Sequence, residues 1–117
     1  MATSLVSDTK FIDVGVSPVT LTIQVGYAQA GGSYVVVINS DGSRNEIKPT
    51  SPGVYQVQLP RQSILSCVTT VQDINLSTND TSVQHIFSTG EPASFTYTKQ
   101  VEHQNDKVVY DIQFITL

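Results

Sequence analysis

The chain has 117 residues, 39% of them apolar and 14% charged, with a formal net charge of −4. That length suits one domain that buries enough surface to stand without a staple, and a single cysteine, Cys67, excludes an internal disulfide. The six basic residues, Lys10, Arg44, Lys48, Arg61, Lys99 and Lys107, are scattered singly, which excludes the basic stripe that nucleic acid or an anionic membrane surface requires.

Residues 1–9 are polar and read as a flexible N-terminal segment preceding a single domain over 10–117. The start has no basic stretch followed by an apolar run, so no secretory signal is predicted and the chain as written reads as cytoplasmic. A first strand is expected over Phe11 to Val16. Val19, Leu21, Ile23, Val25 and Tyr27 then alternate with Thr20, Thr22, Gln24 and Gly26, a period of two that gives a strand one dry and one wet face. After a turn at Ala28 to Gly32, the run Tyr34 to Ile38 is apolar on both faces, which suits a central strand or one packed against a partner chain.

Asn39-Ser40-Asp41-Gly42-Ser43 is a hairpin turn, since Asp-Gly tolerates positive φ. The charged segment Glu46 to Lys48 reads as an edge strand. Val54 to Leu59 alternates Tyr55, Val57 and Leu59 with Gln56 and Gln58 and stops at Pro60. A longer strand is expected over Ile64 to Val71, a polar loop over 72–82, and a short strand from Val83 to Phe87. Ala93 to Val101 and Val108 to Leu117 alternate again and read as a C-terminal hairpin, with Asp111 paired across to Lys99 or a threonine.

Eight or nine short strands at regular spacing, and no helical pattern of ten residues, predict an all-β, antiparallel two-sheet sandwich of jelly-roll or immunoglobulin-like type, with a β-barrel as the alternative.

The loop 72–82 places Asp73, Asn75, Ser77 and Asn79 at alternate positions with Asp80 beside them, the oxygen ligands a hard cation wants. The calcium-loop pattern nonetheless breaks twice. Thr78 stands where the turn needs Gly, and Gln84 stands where a bidentate carboxylate belongs. Asp73, Asn75, Asn79 and Asp80 are candidate binding residues, and a calcium site using Asp73 and Asp80 with another loop is the one cofactor reading left open. Two histidines and one cysteine are too few for a zinc site. His85 shares parity with Val83 and Phe87, and a partly buried, hydrogen-bonded ring is expected there.

No nucleophile elbow and no phosphate loop occurs, so no catalytic residue is assigned and the chain is not expected to be an enzyme. Tyr55 and Tyr97, each among polar neighbours, are candidates for a polar-aromatic binding face. Tyr34, Val36, Val109 and Ile115 are candidate interface positions, because their strands carry apolar groups on both faces. The functional expectation is a binding module for a protein or glycan partner. The alternative is a structural subunit that self-associates into a homo-oligomer.

Overall fold

The computed structural model describes residues 2–13, 19–88 and 92–117. They form nine strands and, among the described residues, no helix: β1 (Thr3–Ile12), β2 (Val19–Val25), β3 (Ala30–Ile38), β4 (Arg44–Ile47), β5 (Val54–Val57), β6 (Ile64–Gln72), β7 (Asp80–Ser88), β8 (Ala93–Gln100) and β9 (Lys107–Thr116). Two sheets pack face to face. One has the order β1-β9-β6-β3-β4, the other β5-β2-β7-β8. The molecule is thus the expected β-sandwich, and its sheets do not close into a barrel.

Alternation built the core. Val35 and Val37 on β3, Leu65, Cys67 and Val71 on β6, and Val108, Tyr110, Ile112 and Phe114 on β9 project inward from the first sheet. Leu21 and Ile23 on β2, Val83 and Phe87 on β7, and Tyr55 and Val57 on β5 meet them from the second. Phe114 sits centrally, with ring centroids 4.9 Å from Phe87, 5.2 Å from His85 and 5.3 Å from Phe95. Edge-to-face rings of this kind add to the stabilisation from area burial. A buried hydroxyl pair is closed internally, Thr81 Oγ1 and Tyr110 OH lying 2.6 Å apart.

Several expectations are corrected. The N-terminal segment does not stand apart, because β1 begins at Thr3 and pairs with β9 in parallel, Thr3 opposite Lys107 and Ile12 opposite Thr116. A strand whose side chains are mostly exposed needs little hydrophobic alternation, so its composition concealed it. The expected strand over Phe11 to Val16 matches only its first residues, and 14–16 lie outside the described residues.

The C-terminal segments are strands but not a hairpin. β8 pairs with β7 in the second sheet, while β9 lies between β1 and β6 in the first. Period-two patterning fixes which face of a strand is dry and leaves its neighbour open. Asp111 accordingly faces Ser7 and Val68 rather than Lys99. His85 is fully buried, and neither ring nitrogen has a hydrogen-bond partner. The strand around it began at Asp80, longer than the sequence suggested, and drew the ring between Tyr97 and Phe114.

Candidate functional site

The solvent side of the first sheet is assembled by register. Tyr34 and Val36 on β3 and Val109 and Ile115 on β9 have the parity opposite to the core residues, so all four candidate interface positions lie on this face. Tyr34 is 54% exposed, whereas Val36 is 7% exposed and still no part of the core, being covered on the outer face.

The pairings align a row no single strand displays. Phe11 is opposite Ile115, Ile115 opposite Ile64, and Ile64 opposite Ile38, so four apolar side chains cross four adjacent strands, ending at Arg44 on the edge strand. Further along, Leu5 pairs with Val109 and Val68 with Tyr34. Leu5 and Phe11 are 66% and 64% exposed. Between these rows a shallow polar groove is lined by Ser7, Thr9, Asp111 and Gln113. In it Asp111 Oδ1 is enclosed without a hydrogen-bond partner.

The outer face of the second sheet differs. Its paired positions are Thr20 with Gln56 and Ser88, Gln24 with Gln84, Gln84 with Thr96, and Ser82 with Thr98. Hydroxyls and amides dominate it. Neither tyrosine assigned to a binding face stands on it. Tyr55 is 3% exposed and shares inward parity with Val57, so the core claims its ring, and the residue lines a shallow cleft together with Gly31, Gly32, Pro49 and Pro52. Tyr97 packs its ring against the core and donates its hydroxyl to Asp8 Oδ2 at 3.0 Å, tying the edge of one sheet to the edge of the other. Burial and the neighbouring carboxylate both push the Tyr97 phenol upward.

The loop after β6 is built around Gln29. Its Oε1 accepts the Ile74 and Asn75 N–H groups at 2.7 and 2.8 Å, and its Nε2 donates to the Asp80 and Thr78 carbonyls at 3.0 and 3.4 Å. Asn75 donates to the Tyr27 carbonyl and accepts from Ser77 N–H. Asn79 donates to the Glu102 carbonyl, and Asp80 Oδ2 accepts the Thr78 hydroxyl. Three of the four candidate binding residues in this loop are thus engaged in hydrogen bonds that hold the loop and fix it to the turns before β3 and β9. The fourth, Asp73, points the other way: it is fully buried, and both carboxylate oxygens lack a hydrogen-bond partner. Among the described residues no three His, Cys, Asp or Glu side chains gather as a metal-binding set. Gln29 went unnoticed in the sequence because one amide beside a turn carries no pattern.

Cys67 is wholly buried, and desolvation pushes its thiol far up from the ordinary range. His103 is exposed on the turn before β9, its main-chain N–H donating to Asp106 Oδ2. Asp106 also accepts the Ala2 N–H, and these contacts hold its carboxyl below the usual range. Comparison with protein-family models, with curated proteins and with solved structures finds no match for this chain.

Proposed function

We propose that this domain is a non-catalytic interaction module that docks on a protein partner through the outer face of its five-stranded sheet. The observation that carries the reading is the register-aligned row Phe11–Ile115–Ile64–Ile38 on the solvent side. Contiguous apolar surface rimmed by polar groups marks interaction sites, whereas single exposed apolar residues do not. Arg44, Glu46 and Lys48 supply the charged rim at one edge, and the exposed Tyr34 is the amphipathic aromatic that anchors interfaces well. A protein is favoured over a glycan because the flat, uncharged outer face of the second sheet offers no exposed aromatic for a sugar to stack on among the described residues. The buried thiol of Cys67 and the enclosed ring of His85 support the non-catalytic part of the reading. A nucleophile or a proton carrier has to reach its substrate.

The test is a photo-crosslinker placed at Tyr34, followed by binding of the captured partner in purified form. Ile38→Glu and Ile115→Glu should weaken that binding at least ~10-fold, as loss of central interface contacts does, while Thr22→Glu on the opposite sheet leaves it unchanged. Equal loss from Thr22→Glu, or none from the isoleucine variants, overturns the reading.

The alternative, a structural subunit in a homo-oligomer, is favoured by a separate observation, the outer edge of β1, which no strand covers among the described residues.

A further inference from the structure

β1 is an edge strand ten residues long, paired on one side with β9 and on the other with nothing among the described residues. It holds neither proline nor glycine, and the ladder implies no bulge, since its register runs unbroken from Thr3 to Ile12. Such edges are templates for another strand unless charge or geometry deters pairing. The direction of its hydrogen bonds is settled at both ends. The Ala2 carbonyl accepts Lys107 N–H at 2.9 Å and the Ile12 carbonyl accepts Leu117 N–H at 3.0 Å. Even-numbered residues therefore spend their main-chain groups on β9. Those of Thr3, Leu5, Ser7, Thr9 and Phe11 point to the open side.

Two charges sit on this strand, Asp8 and Lys10, with the same parity and 3.5 Å apart. Inward-facing charges are the usual guard against edge pairing. Here they have opposite sign and flank Thr9, which makes one register self-complementary. We propose that β1 pairs antiparallel with β1 of a second copy of this chain, about a twofold axis at Thr9, merging two five-stranded sheets into one continuous sheet.

In that register Thr9 faces the partner's Thr9 as a hydrogen-bonded pair, and Ser7 faces the partner's Phe11. Asp8 faces the partner's Lys10 and Val6 the partner's Ile12, each twice by symmetry. The register shifted to place Asp8 opposite the partner's Asp8 sets like charges face to face, which opposes pairing. In the single chain the Thr9 N–H is capped by Asp8 Oδ1 at 2.9 Å. The partner's Thr9 carbonyl takes over that donor and frees Asp8 Oδ1 for the partner's Lys10, while Oδ2 keeps the Tyr97 hydroxyl. The inference deepens the assembly alternative by naming the partner and the register. It uses the edge of β1, which shares only Phe11 with the docking row, so Ile38→Glu and Ile115→Glu probe one surface and the Asp8 and Lys10 variants, on the other side of the sheet, probe the other.

The experiment measures solution mass by light scattering across protein concentration, together with cysteine cross-linking. The expected result is a concentration-dependent rise toward twice the 12.7 kDa chain mass. Thr9→Cys should form a disulfide dimer under mild oxidation, because a hydrogen-bonded pair brings Cα atoms to roughly 5.5 Å, while Thr3→Cys should not. Cys67 is buried and does not interfere. Lys10→Asp should raise the dimer dissociation constant about tenfold. Mixing the Asp8→Lys and Lys10→Asp chains should restore association as a heterodimer. A monomer at every concentration overturns the inference. So does a dimer whose Thr9→Cys form cross-links no faster than its Thr3→Cys form.

Discussion

His85 makes the stability of this domain depend on pH well above the carboxylate range. The ring is fully buried between Tyr97 and Phe114, and neither nitrogen is hydrogen-bonded. Desolvation lowers its pKa from 6.5 to about 4, and the main chain of Phe95 offsets a smaller part. Between those two values the unfolded chain holds a proton that the folded chain lacks, so stability falls as pH falls through this window. The full span is worth about 3 kcal/mol, and going from about pH 7.5 to about pH 5 removes roughly 2 kcal/mol of it. The carboxyls of Asp8, Asp41 and Asp106 are each held below their ordinary 3.8 by hydrogen bonds. Their contribution is present above that value and lost only at more acid pH, so the windows separate.

Urea unfolding of the parent and of His85→Leu, run across this pH range, reads the effect. The leucine fills a similar volume without titrating, so its stability should stay flat where the parent's declines. A parent whose stability changes by less than ~0.5 kcal/mol over that interval refutes the reasoning, as does a leucine variant with the parent's slope.

Two glycines with positive φ should respond differently to alanine. Gly42 has φ +86° with open space around it, whereas at Gly53, φ +77°, a Cβ would lie 2.5 Å from the Ile23 carbonyl oxygen. Thermal unfolding should show about 1 kcal/mol lost for Gly42→Ala and about 3 kcal/mol or more for Gly53→Ala; equal losses would show that the Gly53 approach relaxes freely. Asp73→Asn should raise the melting temperature in the presence of a chelator, by about 1 kcal/mol of stability, because a buried carboxylate without partners costs more than a neutral amide. A fall would mean that Asp73 has a favourable partner.

The sandwich was legible because β2, β5 and β6 alternate inward and outward residues, with inward apolar groups from Val19 to Val25, at Tyr55 and Val57, and at Leu65, Cys67 and Val71, Thr69 being the one polar inward position among them. The turn at Asp41-Gly42 was legible for a chemical reason, the positive φ now seen at Gly42. Strand partners were not, since β8 and β9 alternate equally well whether joined as a hairpin or divided between sheets. The docking row was hidden for the same reason. Phe11, Ile38, Ile64 and Ile115 lie on four strands, and only the registers bring them into line. The outward parity of Tyr34, Val36, Val109 and Ile115 was readable from their strands alone. His85 shows the limit of parity: it predicted the direction of the ring but not the lack of any partner.

The parallel union of β1 with β9 also bears on the order in which the molecule assembles. The Ala2 N–H and its acceptor Asp106 are separated by 104 positions. During synthesis the ribosome has therefore delivered all of β2 to β8 before β1 meets the strand it lies against. Closing so large a loop carries a high entropic cost, and β1 contributes only Val6 and Ile12 to the core in return. β1 is thus placed to dock last and to leave first, and amide exchange along it should outpace that of β6.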